Sequence, residues 1–271
     1  EDLPHYFESQ PLPDIAFTPD SDYGVCNREK GILRVRVQGA PSSNIFRFTG
    51  GTVVNAVPDQ GEILLHCSLE EAKALSESSL PGEFSFSVTS EGIEILSKGK
   101  AVHAMQPDEG FNAVSHGIAL LGSVLAPEDL GSFLTFLHTY VGCETNGASL
   151  GIACSDEPSG TLTCNLGLLH MDAYGASAEF DIRYPVTAED SPFLHLRQGS
   201  YTAVTGQPCN LYATGGGTYA RAVSGRGVAF GPIFPDEPDR GLHQVNEHID
   251  RNRYLEHARI CLEAMYRMLQ G

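Results

Sequence analysis

Apolar and polar residues alternate along several short stretches in the first part of the chain, which is the pattern of strands with one buried face. Residues 32–37 and 46–48 follow this period of two, and residues 62–66 predict a further strand. Residues 83–88 and 92–96 repeat it on either side of a short polar turn, so they predict a hairpin. A β-sheet is therefore expected to dominate the region before residue 100.

Helical spacing separates these strands from a second set. Ser68 and Glu71 form a capping box, in which each side chain satisfies a free amide at the start of a helix. The further predicted helices cover residues 111–125, 133–141, 191–205 and 250–269, and the further predicted strands cover residues 161–166, 177–184, 209–213 and 228–230. The last helix is amphipathic, and its apolar face is predicted to contain Tyr254, Ala258, Cys261, Met265 and Leu269.

The order of these elements predicts a mixed fold in three segments. Residues 1–30 form a loop-rich piece with one short strand near residues 15–17. Residues 31–212 contain two rounds of strands and helices, which suggests a doubled α+β domain, although no clean sequence repeat is visible. Residues 213–271 combine a glycine-rich loop, a strand and the long helix, so they are α/β in character.

Composition and charge narrow the classes of function. The 271 residues carry a net charge of −17, which disfavours binding to nucleic acids or to anionic membrane surfaces. No apolar run approaches the roughly 20 residues that span a bilayer. The seven cysteines are scattered and include no Cys-x-x-Cys pair, so they predict neither a disulfide framework nor a cysteine zinc site. The cytosol is the simplest compartment for such a chain.

Two residues are candidate metal ligands. Asp20 directly follows a predicted strand, where a carboxylate can bind a metal, although Pro-Asp-Ser is also ordinary turn chemistry. His243 lies in the loop before the final helix, and a neutral imidazole in such a loop is a good zinc ligand. The alternative for His243 is a surface histidine without a ligand.

Further candidates could bind a substrate or stabilise a developing negative charge. Asn55 and His103 lie between predicted elements and could donate hydrogen bonds to an oxyanion, or could simply stabilise their loops. Arg183 ends a strand and could bind a carboxylate with two hydrogen bonds, or could form a structural ion pair with Asp181. Gly217 and Thr218 belong to a glycine-rich loop that lacks the Lys-Ser/Thr ending of a P-loop, so a carboxylate or oxyanion is a better ligand than a nucleotide.

The order of these motifs resembles the peptidase V branch of the di-zinc dipeptidases, which are related to carnosinase, the Xaa-His dipeptidases and aminoacylase. The resemblance covers nearly the whole chain and is carried by FTPDSDYGVCNREKGIL, TVVNAVPD, GKAVHAMQPDEGFNA, EFDIRYP, GGGTYAR and GVAFGPIFPDEPDRGLHQVNEHI. It implies pieces of a catalytic domain at about residues 1–30 and 213–271, and between them a ferredoxin-like, doubled lid domain at residues 31–212. A doubled lid would favour a monomer.

The resemblance also implies a role for each candidate. It implies that Asp20 and His243 ligate two zinc ions, or possible manganese or cobalt substitutes, and that His243 also contacts the substrate. It implies that Asn55 and His103 reach the tetrahedral intermediate. It implies a dipeptide substrate whose C-terminal carboxylate binds Arg183, with Gly217 and Thr218 in the wall around it.

One departure from the family pattern concerns the region before Asp20. The family has an upstream histidine, a metal-bridging aspartate and a Glu-Glu pair, and none of these motifs is present there. We therefore expect an incomplete metal site and an inactive fragment of a dipeptidase. The alternatives are a non-catalytic peptide-binding or assembly module and an N-acyl-amino-acid amidohydrolase.

Overall fold

The structure is a computed structural model that describes residues 2–185, 211–223, 226–242 and 245–270. The predicted helix at residues 191–205 lies outside these ranges. The chain divides into two compact units. Unit 1 comprises Glu1–Gly31, Asp156–Gly160 and Val186–Gly271, and unit 2 comprises Ile32–Ser155 and Thr161–Pro185. The predicted mixture of α and β structure is confirmed, because helices and sheets occur in both units.

The described elements are numbered here in chain order. The strands are β1 Ala16–Thr18, β2 Ser21–Asp22, β3 Val25–Glu29, β4 Gly31–Gly39, β5 Ile45–Gly50, β6 Gln60–Leu65, β7 Glu83–Val88, β8 Ile93–Lys98, β9 Ser155–Asp156, β10 Gly160–Thr161, β11 Thr163–Asp172, β12 Gly175–Tyr184, β13 Leu211–Thr214, β14 Gly227–Ala229 and β15 Pro232–Ile233. The helices are α1 Asp2–Phe7, α2 Leu69–Ser76, α3 Ala113–Gly122, α4 Pro127–Leu130, α5 Ser132–Phe136 and α6 Arg251–Gln270. Short 3-10 turns cover Pro107–Glu109 and Tyr219–Val223, and Leu137–Val141 is π-helical.

Unit 2 is built on a seven-stranded sheet with the order β4-β12-β11-β5-β6-β8-β7. The pairings from β12 to β7 are all antiparallel. Helix α3 packs on the middle of the sheet, where it contacts β5, β6, β8 and β11. The core beneath it contains fully buried Phe48, Ile63, Ile95, Leu120 and Leu121, so the period-two and helical patterns meet at one apolar layer.

Local signals in unit 2 behave as the sequence predicts. The capping box of α2 is present, because the Ser68 side chain accepts from the Glu71 amide and the Glu71 carboxylate accepts from the Ser68 amide. Helix α3 begins after Asn112, whose side-chain oxygen accepts from Val114 N and Ser115 N at 3.0 Å each. The hairpin of β7 and β8 is confirmed in register, with Phe86 opposite Ile95.

Unit 1 is built on a four-stranded sheet with the order β1-β14-β3-β13. Strands β1 and β14 are parallel, β14 and β3 are antiparallel, and β3 and β13 are parallel. The second predicted boundary, at residue 212, therefore falls inside a strand that pairs with β3. The extents of the three predicted segments stay a prediction.

The long C-terminal helix is confirmed, but the face predicted to be apolar and packed is wrong. Tyr254, Ala258 and Met265 are exposed, whereas His257, Ile260 and Ala264 are buried against the core of unit 1. The packed face includes a polar residue, because the buried ring of His257 finds a hydrogen-bonding partner in the hydroxyl of Tyr23, at 2.6 Å. Across the described part of the chain, no helix is long and apolar enough to cross a membrane.

Candidate functional site

A polar cluster surrounds the first half of β11 in unit 2. We call it the β11 cluster, and it consists of Asn55, His103, Thr163, Asn165, Asp181 and Arg183. Thr163 pairs with Arg183 across the two strands, and Asn165 pairs with Asp181. Residues directly opposite each other on antiparallel strands project from the same face, so these four side chains share one face of the sheet. Hydrogen bonds from Thr163 and Asn165 connect this face to the segments that carry His103 and Asn55.

His103 lies in the segment between β8 and α3, and its ring is oriented by the backbone. The Met105 amide donates to His103 Nδ1 at 3.1 Å. In the neutral ring the proton therefore lies on Nε2, a tautomer that we assign from this hydrogen bond. His103 pairs with Ala56 as an antiparallel bridge. The ring is thus a hydrogen-bond donor on a segment next to Asn55, as a group that stabilises an oxyanion must be.

Asn55 lies in the loop between β5 and β6. Its backbone carbonyl accepts from Ala104 N at 2.9 Å. The carbonyls on either side, Val54 O and Ala56 O, accept from the side chain of Asn165. The half-buried side-chain amide of Asn55 makes no hydrogen bond to any other residue within the described ranges. Its backbone is fixed on both sides while its amide keeps its donors available for a ligand.

Arg183 is buried in the same cluster and forms an ion pair. Its Nε donates to Asp181 Oδ1 at 2.6 Å, and a second guanidinium nitrogen lies 3.3 Å from Oδ2. The Arg183 side chain is 3% exposed and the Asp181 side chain is 0% exposed. The ion pair that the sequence left as an alternative is therefore present. Binding of a substrate carboxylate by Arg183 stays a prediction.

Asp20 lies in unit 1 at the end of β1, as its position after a strand predicts. Phe230 N, just past β14, donates to Thr18 O at 2.8 Å, and Ser21 N donates to Gly231 O at 2.5 Å. Because β1 and β14 are parallel neighbours, the turn that carries exposed Asp20 and the loop after Phe230 leave the sheet at the same end of the strands. His243 lies outside the described residues.

The metal site itself is not assembled by the residues that the structure describes. Among them, no group of three or more His, Cys, Asp and Glu side chains could hold a metal ion. Asp20 alone provides too few ligands, since zinc sites in proteins use three or four. The predicted ligand roles of Asp20 and His243 therefore stay predictions.

The glycine-rich loop after β13 lies at the opposite end of the strands of the unit 1 sheet. Thr218 donates through its hydroxyl and, at 3.3 Å, through its amide to the carboxylate of Glu29, which also pairs with Arg221. Glu29 ends β3, which runs antiparallel to β14. The hydrogen bonds to Glu29 therefore hold Thr218, and Gly217 beside it, at the end of the sheet away from Asp20. A role for Gly217 and Thr218 around a substrate stays a prediction.

Three polar residues that form hydrogen bonds at these places were not among the sequence-based candidates: Glu29, Thr163 and Asn165. Glu29 and Thr218 are 189 positions apart, and Asn165 is 111 positions from Val54. No local spacing can connect such partners. The available signal was the polar pair Thr163 and Asn165, which alternates along β11 with the buried apolar residues Cys164 and Leu166. Asn165 is itself buried, and a buried polar residue normally has a hydrogen-bonding task.

Five of the six described cysteines do not suggest a thiol nucleophile. Burial raises the pKa of Cys26 to about 12, and raises the pKa values of Cys164 and Cys261 to about 11. Burial likewise raises the pKa values of Cys67 and Cys143. A raised pKa keeps these thiols protonated near neutral pH, whereas a catalytic cysteine needs its thiolate.

The chain is similar to proteins that are named as dipeptidases. The sequence matches no protein-family model. It is 30% identical over 310 aligned residues to "Putative dipeptidase YtjP" of Bacillus subtilis, covering 97% of this chain and 65% of that protein. It is 28% identical over 314 residues to "Putative dipeptidase SSP1012" of Staphylococcus saprophyticus, covering 97% of this chain and 66% of that protein. The chain thus spans about 65% of the length of the first of these relatives.

Two solved structures are similar to the described fold at a low level. One is the aminoacylhistidine dipeptidase of Vibrio alginolyticus, with a TM-score of 0.37 and 14% identity over 93% of this chain and 64% of that one. The other is the dipeptidase Dug1p of Saccharomyces cerevisiae, with a TM-score of 0.40 and 9% identity over 95% of this chain and 58% of that one. Neither similarity is high enough to carry an argument about this chain.

Proposed function

We propose that the protein is a metal-dependent dipeptidase. The observation that carries this proposal is the similarity to proteins named as dipeptidases along 97% of the chain. The β11 cluster supports it, because an imidazole donor and an amide donor lie on loops that are hydrogen-bonded to the sheet strand β11, beside an arginine on β12. Peptide hydrolysis needs donors for the oxyanion that forms when the carbonyl is attacked.

In this proposal the residues of the β11 cluster act directly on the substrate. His103 donates from Nε2, and Asn55 donates from its side-chain amide, to the oxygen of the tetrahedral intermediate. Arg183 holds the C-terminal carboxylate of the dipeptide, which requires it to share its guanidinium between Asp181 and the substrate. Gly217 and Thr218 contact the bound dipeptide in unit 1.

We also propose two zinc ions as the cofactor, with manganese or cobalt as possible substitutes. Asp20 would be a ligand of one ion, and His243 a ligand of the other and a substrate contact. The described residues do not form a metal site by themselves.

The remaining parts of the proposal concern architecture and setting. We propose that unit 2 is a lid domain of the ferredoxin-like, doubled kind, supported by its seven-stranded sheet, which is antiparallel from β12 to β7, and by helix α3, which packs on that sheet. A doubled lid within one chain favours a monomer. We also propose a cytoplasmic location, which agrees with free cysteines among the described residues.

A substrate panel tests the proposed activity. The full-length gene product, supplied with zinc, is assayed with a free dipeptide, the same dipeptide amidated at its C-terminus, a tripeptide and an N-acetyl amino acid. We expect hydrolysis of the free dipeptide, loss of activity with a chelator and recovery with zinc. We expect much slower hydrolysis of the amidated dipeptide, because it lacks the carboxylate that Arg183 would bind.

Each alternative has its own outcome in this panel. Faster hydrolysis of the N-acetyl amino acid would indicate an amidohydrolase. Calorimetric binding of the dipeptide without any hydrolysis would indicate a non-catalytic binding module. Asp20→Asn is expected to lower the zinc content of the purified protein, whereas Asp14→Asn, a matched change at an exposed aspartate on the same segment, is expected to leave it unchanged.

A further inference from the structure

We propose that Asn165 is a positioning residue that holds Asn55 and His103 in place for catalysis. This inference rests on the proposed function for its enzymatic readout. Its structural basis is a set of hydrogen bonds in unit 2 that the proposed function does not use. Asn165 touches neither the substrate nor the reacting atoms in this proposal, because it acts through the backbone that carries the two donors.

One side-chain amide fixes both sides of Asn55. The Nδ2 group of Asn165 donates to Ala56 O at 2.9 Å and to Val54 O at 3.2 Å. These are the carbonyls of the residues immediately before and after Asn55. Both hydrogens of the amide are therefore used to define the direction in which the Asn55 side chain leaves the loop.

Close backbone contact fixes the same loop from a second direction. The sheet register of β11 shifts between Leu166 and Leu168, which brings Gly167 against the loop. A Cβ added at Gly167 would lie 2.2 Å from Val54 O, and one added at Gly51 would lie 1.9 Å from Gly167 O. The loop cannot move closer to β11, and the Asn165 hydrogen bonds prevent it from moving away.

The same loop is coupled to His103 through the backbone. Ala104 N donates to Asn55 O at 2.9 Å, and Val57 N donates to Val102 O at 2.9 Å. Thr163, two residues before Asn165, donates through its hydroxyl to Ala104 O at 3.2 Å. A displacement of the Asn55 loop would therefore also displace the segment whose Met105 amide orients the His103 ring.

The donors of Asn165, and not its packing, explain why an amide occupies this position. The residue is 2% exposed, and its Oδ1 atom accepts no hydrogen bond within the described chain. A buried acceptor without a donor is unfavourable, so Asn165 is a poor choice for packing alone. Its two donated hydrogen bonds explain its presence better than a purely structural contribution to the core does.

The experiment compares Asn165→Leu with Asn44→Leu in the full-length gene product. Asn44 is a matched control, because its Nδ2 also donates within unit 2, to Asp129 Oδ1 at 2.7 Å, in a loop that is not connected to the β11 cluster. We expect Asn165→Leu to lower kcat for the dipeptide about ten- to a hundredfold, with KM changed by less than about threefold, because it misplaces groups that act in the transition state. We expect Asn44→Leu to leave both constants close to those of the wild type.

A second readout does not depend on enzymatic activity. In protein labelled with ¹⁵N-histidine, the two ring nitrogens of wild-type His103 should report a single neutral tautomer with the proton on Nε2. In Asn165→Leu we expect a mixture of tautomers, because the Met105 amide no longer holds Nδ1. A wild-type protein that cleaves no dipeptide would refute the proposed function, and the His103 spectrum would still test the role of Asn165.

Two results would overturn the inference. The first is a folded Asn165→Leu protein whose kcat and His103 spectrum match those of Asn44→Leu. Should Asn165→Leu fail to fold, Gly167→Ala shifts the same loop through its contact with Val54 O while Asn165 remains. The second overturning result is a folded Gly167→Ala protein with wild-type kcat and an unchanged His103 spectrum. A fall in kcat with little change in KM in that variant would support the inference.

Discussion

The buried pair of Arg183 and Asp181 allows a sharp test of what Arg183 does in the folded chain. Asp181→Ala removes a carboxylate that lies 2.6 Å from Arg183 Nε, at a place where the two side chains are 0% and 3% exposed. Removing one partner of a buried ion pair leaves the other charge in a medium of low polarity. We expect the free energy of unfolding of unit 2 to fall by about 3–5 kcal/mol.

The double variant Asp181→Leu/Arg183→Met distinguishes the loss of the ion pair from the cost of leaving one charge buried. Replacing both charges with apolar groups removes the buried charge as well, so the double variant should lose less stability than Asp181→Ala. The surface pair of Arg36 and Glu179 provides a matched control on β12, because its atoms lie 3.8 Å apart and both side chains are well exposed. Glu179→Ala should change the stability by no more than about 1 kcal/mol.

The assay is hydrogen–deuterium exchange of the β11 and β12 amides in a urea series, since it reports on unit 2 without a two-state assumption for the whole chain. An Asp181→Ala variant that loses no more stability than Glu179→Ala would contradict this expectation, and so would a double variant that loses as much stability as the single one. Either result would mean that this ion pair within β12 contributes little to the stability of unit 2.

Three further predictions follow from the described contacts. Burial, with the charge of Arg240 nearby, lowers the pKa of His257. As the pH falls, His257 therefore binds a proton in the unfolded chain before it does so in the folded chain. The contribution of His257 to the stability of unit 1 should be complete above a pH of about 6.5. Below that pH the free energy of unfolding, measured with urea, should fall by up to about 1.4 kcal/mol per pH unit. The same dependence of stability on pH in His257→Gln would contradict this. Gly51→Ala should destabilise unit 2 by more than about 1 kcal/mol in thermal unfolding, because Gly51 has φ of +83° and no room for a Cβ, and an unchanged melting temperature would refute this. Ser68→Ala should lower protection of the α2 amides by about 1 kcal/mol, and unchanged exchange rates there would show that the capping box contributes nothing.

The parts of the fold that the sequence predicts are those decided by neighbours in the chain. The capping box at Ser68 and the hairpin of β7 and β8 depend on residues a few positions apart, and both are confirmed. The packed face of α6 was wrong because the tertiary partner decides it. Tyr23, 234 positions away, offers a hydroxyl to His257, so a polar residue occupies the buried side of the helix.

The candidate site shows the same division. Motif order suggested Asn55, His103 and Arg183 as partners in one reaction, but nothing in their spacing shows that β11 brings them to one end of a sheet. The residues that make this arrangement, Thr163 and Asn165, carry no motif of their own. Their partners lie 59 and 109 to 111 positions away, so only the folded chain reveals them.

The most direct test of the proposed function is the rate of dipeptide hydrolysis by His103→Ala in the full-length, zinc-supplied protein. Nε2 of His103 is proposed to donate to the oxyanion only in the transition state. We therefore expect kcat to fall by about 10²–10³, with KM nearly unchanged, as for the loss of one oxyanion donor. His138→Ala, at a half-buried histidine of the same unit outside the β11 cluster, should retain wild-type kinetics. Equal values of kcat in His103→Ala and wild type would contradict the proposed function of the β11 cluster.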